Sequence, residues 1–273
     1  MKSLARESRQ AHIEGVAENL ELRIHGKESL PTLIYLPGLH GDWTLIGGFR
    51  RALAGRVRFA EVTYPRTLTW SLEEYAAGVE NAVVGQGIRS GWLLGESFSS
   101  QVVWPLVARG RFQAQGVILA GGFVRHPAPW IVPRAARLTA GTPLRLLRGM
   151  LAGYARVARI RFWRSPETLA GVGEFISRWT ELHRQAAVHR LRLIAQNDPR
   201  AIAREVRLPV YALTGGIDPI VPWVGVRRWL RRNCPGLREY RIIWSADHNV
   251  LSTAPKLAAD QVVRWMSGPK ESN

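Results

Sequence analysis

One cysteine in 273 residues, Cys234, leaves no partner for an internal disulfide and no second thiol for a metal cluster. That usage fits a reducing compartment, and Cys234 reads as a half-buried helix residue. Acids are also scarce: 21 Asp and Glu stand against 38 Lys and Arg, for a formal net charge of +17. Long apolar runs are missing, since arginine interrupts every one in the second half and none approaches the roughly 18 residues of a membrane span. Met1 to Gly15 lacks the apolar stretch of a secretory signal. No internal repeat or low-complexity tract is present, and the hydrophobic fraction of 46% suffices for a substantial core. These features predict a soluble, cytoplasmic protein folded almost throughout. The charge would draw phosphates, anionic lipids or acidic substrates without choosing among them. No nucleic-acid-binding module accompanies it, so nucleic acid is a weak expectation resting on charge alone.

Short apolar runs bounded by Gly or Pro alternate with helical patterns, the rhythm of a largely parallel sheet covered on both faces. Strands are predicted at Leu20 to Ile24, Thr32 to Leu36, Val57 to Tyr64, Trp92 to Leu94, Gly116 to Leu119, Val210 to Leu213 and Tyr240 to Trp244. Ser71 and Glu74 have capping-box spacing and should open a helix running toward Val84. Another helix is expected from about Phe98 to Ala108, one after Pro222, and a closing one from Pro255. Residues 124–205 lack a strand-like run. Thr142-Pro143, Ser165-Pro166 and Asp198-Pro199 mark three helix starts there. The expected division is a catalytic core of residues 1–123 and 206–273 with a helical cap of 124–205.

The chemistry concentrates in Trp92-Leu-Leu-Gly-Glu-Ser-Phe-Ser-Ser100, a buried strand running through a tight turn into a helix. A turn that sharp needs small residues two before and two after its centre, here Gly95 and Ser99, and it exposes Ser97 as a nucleophile. Serine is a poor nucleophile near neutral pH, so a histidine must take its proton and an acid must orient the histidine. His248 alone among seven histidines follows the last predicted strand. His183 and His189 lie in the helical stretch, His12 and His25 precede the first buried strand, and His40 sits near the candidate site. Asp218 follows a buried strand, where ligands bind in open α/β sheets, although Asp before Pro also starts turns. Asp247, beside His248, is the competing acid, but adjacent loop residues seldom point at one place. Backbone N–H groups of Phe98 and of Leu39, in the turn Leu36-Pro-Gly-Leu-His-Gly-Asp42, are candidate oxyanion donors, with Gly38 allowing the reversal. No Gly-Lys-Ser/Thr sequence supports nucleotide binding in that glycine-rich turn.

Leu-Pro-Gly-Leu39, Gly-Glu-Ser97-Phe-Ser, Gly-Ile-Asp218-Pro-Ile-Val-Pro and Asp-His248 occur in the order of the α/β-hydrolase fold, which the chain resembles over nearly its whole length. The Leu-Pro-Gly-x-x-Gly and Gly-Glu-Ser-Phe motifs also resemble an esterase and acyltransferase branch of the phytyl-ester-synthase kind. The resemblance implies a mostly parallel sheet flanked by helices, with a helical cap after the sixth strand. It further implies cleavage of an ester, thioester or amide through a covalent acyl-enzyme, with no metal and no organic cofactor. Ser97 at the elbow argues against the dehalogenases and epoxide hydrolases that use aspartate there. Acyl transfer or carbon–carbon bond hydrolysis on the same triad, and a non-catalytic basic binding protein, are the alternatives.

Residues 125–164 contain nine arginines and no acid. From Pro143 onward, Leu144, Leu147, Leu151 and Tyr154 recur at helical steps while Arg145, Arg148, Arg156 and Arg159 fall on another face. Such a helix packs its apolar side over the site and solvates its arginines, or attracts anionic lipid or an anionic acyl substrate. Phe123, Trp130, Trp179, Ile131, Phe162 and Trp163 are aromatic or apolar candidates for an acyl pocket.

Overall fold

The computed structural model describes residues 20–161 and 173–268. Seven strands form one sheet: β1 (Glu21–His25), β2 (Thr32–Leu36), β3 (Arg58–Thr63), β4 (Ser90–Glu96), β5 (Gln113–Ala120), β6 (Val210–Gly215) and β7 (Leu237–Ile243). Their spatial order is β1-β3-β2-β4-β5-β6-β7, with β1 antiparallel to β3 and every other pairing parallel. The central strands are continuous apolar runs because both faces are covered. On β2, Ile34 and Leu36 enter one core, whereas Leu33 and Tyr35 enter the other. Helices α1 (Gly47–Leu53), α2 (Leu72–Gly85) and α3 (Val103–Arg109) flank the sheet in its first half. Tyr75 and Val79 of α2 join the first core, and Phe49 of α1 joins the second. Each such side chain, withdrawn fully from water, stabilises the fold by roughly 1.5–3 kcal/mol.

The Ser71 capping box forms as expected: Glu74 N donates to Ser71 Oγ at 3.2 Å and Ser71 N to Glu74 Oε2 at 2.6 Å. Several strands extend beyond their apolar cores, β5 for example beginning at Gln113, because parallel neighbours continue to supply hydrogen-bond partners past the last apolar residue. The helix expected from Phe98 instead begins as a 3-10 turn, Ser97–Ser100, before α3.

Between β5 and β6 the described residues contain α4 (Ile131–Gly141), α5 (Leu144–Arg161), helical residues 173–178, α6 (Glu181–Gln196) and α7 (Arg200–Glu205), and no strand. This segment leaves the sheet after the fifth strand rather than the sixth, because a single antiparallel strand, β1, joins the parallel set among the described residues. Two expected helix caps also differ. Thr142 Oγ1 donates back to Leu138 O at 2.7 Å, so it closes α4 rather than opening α5. Pro199, not Asp198, occupies the N-cap position of α7, while the Asp198 carboxylate pairs with Arg200 and Arg125. Ser165-Pro166, Phe162 and Trp163 lie outside the described residues, as do the side chains of Tyr154 and Arg159. After β6 come α8 (Trp223–Asn233), α9 (Val250–Thr253) and α10 (Pro255–Met266), the last packing on α1. Cys234, at the end of α8, is buried more completely than expected. No helix among the described residues is long and apolar enough to cross a membrane.

Helix α6 lies against α4 and reaches the sheet body through its buried residues His183 and Arg190. Arg66 Nε donates to His183 Nε2 at 2.8 Å, and Nδ1 faces the start of α6, 2.7 Å from Thr180 Oγ1 and 3.2 Å from Thr180 N. Burial, followed by the neighbouring Arg66 charge, lowers the His183 pKa from 6.5 to about 4. The folded protein therefore holds His183 neutral where the unfolded chain protonates it. Its contribution is complete above pH 6.5 and declines as pH falls toward 4. Melting temperature measured from pH 7 to 4.5 should drop more steeply in the native protein than in His183→Gln, and equal slopes would contradict this account.

Candidate active site

The turn at the end of β4 sets the geometry. Ser97 has φ of 46°, the one positive value at a non-glycine position among the described residues. Gly95 is required by close approach: a Cβ there would lie 2.8 Å from Val103 Cγ1 and 2.9 Å from Ser99 O. The turn is held from below by Phe98, fully buried and edge-on to Tyr64 and Tyr75. Ser100 Oγ donates to Ser97 O at 2.6 Å and accepts from Phe123 N at 3.0 Å. Gln101 Nε2 donates to Phe123 O at 2.9 Å and to Val124 O at 2.8 Å, tying the exit of β5 to the same turn.

Two further loops at this sheet edge converge on Ser97. His248, after β7, places Nε2 2.9 Å from Ser97 Oγ and Nδ1 2.8 Å from Asp218 Oδ2. With the ring proton on Nδ1, shared with the carboxylate, Nε2 offers a lone pair to the hydroxyl. The Asp218 side chain is fully buried, and its other oxygen accepts from Ile220 N and Val221 N, both at 2.9 Å. It therefore caps a turn with one oxygen and meets the histidine with the other. Asp247 turns to a different task, its Oδ1 accepting from Asn249 N at 2.9 Å. The two loops are fixed to one another by Ile217 N donating to Ala246 O at 3.1 Å and Gly216 N to Ile243 O at 2.9 Å.

Leu39 lies in the loop after β2, across the cavity wall from Ser97. Gly41, rather than Gly38, carries the positive φ of that loop, 84°. The neighbouring Asp42 is pushed up by burial, but His40, hydrogen bonds from Thr44 and the Arg178 charge outweigh it and hold the carboxyl below its ordinary range. Beneath the nucleophile, Tyr35 OH donates to Glu96 Oε2 at 2.5 Å, and His40 Nε2 lies 4.0 Å from the same oxygen. Burial, then the Glu96 charge, raises the Tyr35 pKa well above normal, so the phenol keeps its proton.

A cavity of about 580 Å³ opens over Ser97 and His248, with mainly apolar walls. Phe123 and Trp179 line it, together with Ile131 and Leu151 from α4 and α5. Trp130 does not. It precedes α4 on the outer side, is 61% exposed, and stacks with the Arg134 guanidinium 5.2 Å from its ring centre. Arg148, expected on a solvated face, donates through Nε to Trp179 O at 3.0 Å and so fixes a cavity residue. Sequence reasoning passed over Glu96, Gln101 and Arg190. A carboxylate inside an apolar strand was a visible signal for the first, and the buried stripe His183, Ala187, Arg190, Ile194 was one for the last.

No protein-family model matches the chain. It is 30% identical over 239 residues, covering 82% of its length and 89% of the relative's, to a pimeloyl-[acyl-carrier protein] methyl ester esterase of Methylococcus capsulatus. Solved structures share the fold. An enol-lactonase from Burkholderia xenovorans superposes with a TM-score of 0.72 at 18% identity, covering 91% of this chain and 96% of that one. A thermophilic esterase from Thermogutta terrifontis gives 0.70 at 19%, covering 91% and 93%. A hydrolase from Pseudomonas aeruginosa gives 0.74 at 14%, covering 91% and 94%. The chain belongs to the α/β-hydrolase superfamily, as a carboxylic ester hydrolase.

Proposed function

We propose that the ester is cleaved through a covalent acyl-enzyme on Ser97, with His248 as the proton carrier and Asp218 as its orienting acid. The observation that carries this reading is the imidazole bridging Ser97 Oγ at 2.9 Å and Asp218 Oδ2 at 2.8 Å, at a left-handed turn on the wall of an apolar cavity. Ser97 Oγ attacks the carbonyl carbon while its proton passes to His248 Nε2. The negative charge that develops on the carbonyl oxygen is met by the N–H groups of Leu39 and Phe98. Collapse breaks the carbon–oxygen bond, and His248 returns the proton to the departing alkoxide. Water then repeats the sequence on the acyl-serine, releasing the acid and restoring the hydroxyl. An alcohol in place of water would complete acyl transfer on the same groups.

The acyl chain lies in the cavity between Phe123, Ile131, Leu151 and Trp179, with the described helices between β5 and β6 acting as a cap over it. The Methylococcus relative is named for a methyl ester of an acyl group on a carrier protein. A similar anionic acyl donor suits this chain, because Arg134, Arg137 and Arg145 are exposed in a stretch without an acid. A short-chain ester free of any carrier would then be a competent but poorer substrate.

A fluorophosphonate probe should label the native protein once, on Ser97, and leave Ser97→Ala unlabelled; labelling of that variant at the native rate would refute the assignment. Asp218→Asn should lower kcat by about 10³- to 10⁴-fold, because the wrong imidazole tautomer faces the serine. Asp247→Asn should stay within about threefold of native, since its Oδ1 accepts from the Asn249 N–H, a bond an amide oxygen can also accept. The reverse ranking in steady-state p-nitrophenyl ester assays would exchange the acids. For the charged surface, kcat/KM on an acyl-carrier-protein methyl ester should fall with added salt and with Arg134→Glu plus Arg145→Glu, while a neutral p-nitrophenyl ester is unaffected by both. An unchanged ratio would remove the carrier from the reading.

A further inference from the structure

The turn pattern calls for glycine two residues after the nucleophile, and this chain has Ser99, whose fully buried hydroxyl takes no part in the chemistry above. Its Oγ donates to Pro37 O at 2.5 Å. A hydroxyl has one proton, so the bond at 2.7 Å between Tyr64 OH and Ser99 Oγ must be donated by the phenol. Burial raises the Tyr64 pKa above its ordinary value and keeps that proton in place. Tyr64 also donates its backbone N–H to Gly41 O at 2.8 Å, so one residue grips the loop after β2 by main chain and the nucleophile turn by side chain.

Arg190 grips the same loop at Leu39. It comes from α6, is 2% exposed, and donates to Leu39 O at 2.9 Å, Pro65 O at 3.1 Å and Tyr75 OH at 3.3 Å. These acceptors are two carbonyls and a phenol. Burying a guanidinium against neutral oxygens is a costly way to glue a helix to a sheet, which points to a use for its position. Its carbon lies 5.6 Å from the Tyr64 ring centre and 5.9 Å from that of Phe98. The loop wraps it so closely that a Cβ on Gly41 would fall 2.3 Å from Nη1.

Pro37 O belongs to the peptide just before Gly38–Leu39, and Leu39 O to the peptide just after it. The unit between them carries the Leu39 N–H. We infer that Ser99 and Arg190 are positioning residues for oxyanion stabilisation, clamping the peptides on either side of Gly38–Leu39 so that the Leu39 N–H stays aimed at the developing charge. The inference rests on the assignment of Leu39 and Phe98 as donors under the proposed function. A donor fixed before the reaction needs no reorganisation as the charge forms, whereas a loop free to swing loses that benefit. With glycine at 99, Pro37 O would lose its donor and the Tyr64 hydroxyl its acceptor.

The test uses Ser99→Ala, Ser99→Gly and Arg190→Met on p-nitrophenyl butyrate, with competent sites counted by fluorophosphonate titration and folding followed by melting temperature. A trifluoromethyl ketone, which adds the serine hydroxyl to form a tetrahedral oxyanion, serves as the transition-state probe. In both Ser99 variants kcat per titrated site should fall about tenfold with KM within about twofold, and ketone affinity should fall in parallel with kcat/KM. A role confined to folding would lower the melting temperature or the number of sites while leaving kcat per site intact. Should Arg190→Met fail to fold, Arg190→Ala with millimolar methylguanidinium should regain turnover, and the Ser99 variants decide the question by themselves. An unchanged kcat per site in both Ser99 variants, or ketone affinity that holds while kcat falls, overturns the clamp. Native protein that neither hydrolyses the ester nor takes the label defeats the assignment of Ser97, and this inference with it; an active native enzyme with unaltered variants defeats the clamp alone.

Discussion

The left-handed turn at Ser97 is the constraint on which the site depends. A serine at φ 46° costs about 1–3 kcal/mol in backbone strain and persists only where its surroundings over-determine it. Here they do so from several sides. Gly95 lets β4 and the following turn approach without a clash, Phe98 fills the space between Tyr64 and Tyr75, and Ser100 ties the Ser97 carbonyl to the exit of β5. The next residue in the same turn, Phe98, carries the N–H proposed as one oxyanion donor. One conformational outlier thus presents both the proposed nucleophile and one proposed electrophilic donor.

The remaining groups reach this turn because parallel strands deliver their loops to one edge. β6 and β7 pair in parallel, in unbroken register from Tyr211 to Gly215, and the loops that follow them are joined by the Ile217–Ala246 and Gly216–Ile243 hydrogen bonds. Asp218 and His248 therefore meet at 2.8 Å although thirty residues separate them in the chain. The helical segment is tied to this arrangement through buried polar contacts as well as apolar packing. His183 accepts from Arg66, and Arg190 donates to the carbonyl of Leu39, both from α6. Displacing that helix would remove Arg190's hydrogen bond from the loop after β2 together with cavity wall.

Much of this was legible in the sequence because it rests on local rules. Continuous apolar runs marked the strands, Ser71 and Glu74 marked a helix start, and Gly95 to Ser99 marked the turn; each is decided by a few neighbouring residues. Asp218 was preferred to Asp247 on its place after a buried strand, and the structure turns Asp247 toward the Asn249 N–H. What failed turned on contacts that residue type and spacing leave undecided, near in sequence as well as far. Thr142 faced a choice between two helices, and Leu138 O captured its hydroxyl. Trp130 has the composition of a pocket residue, but its place just ahead of α4 turns it to the outside. Arg190 was hidden among many arginines although it falls on the buried stripe of its helix, since periodicity identifies the stripe without naming the carbonyl a cation there will meet.

Ser99 shows how a departure from a motif is to be weighed. Gly95 must be glycine because backbone and a branched side chain crowd its Cβ position. The site two residues beyond Ser97 tolerates a side chain, provided that side chain is small and its polar atom is satisfied. Ser99 meets both conditions, with an acceptor in Pro37 O and a donor in Tyr64 OH. An alanine would fit the same space and leave two buried polar groups unmatched, while a larger residue would force strand and turn apart. The substitution therefore relaxes nothing in the turn. It exchanges a steric requirement for a hydrogen-bonding one and extends the rigidity of the nucleophile turn into the loop that holds Leu39.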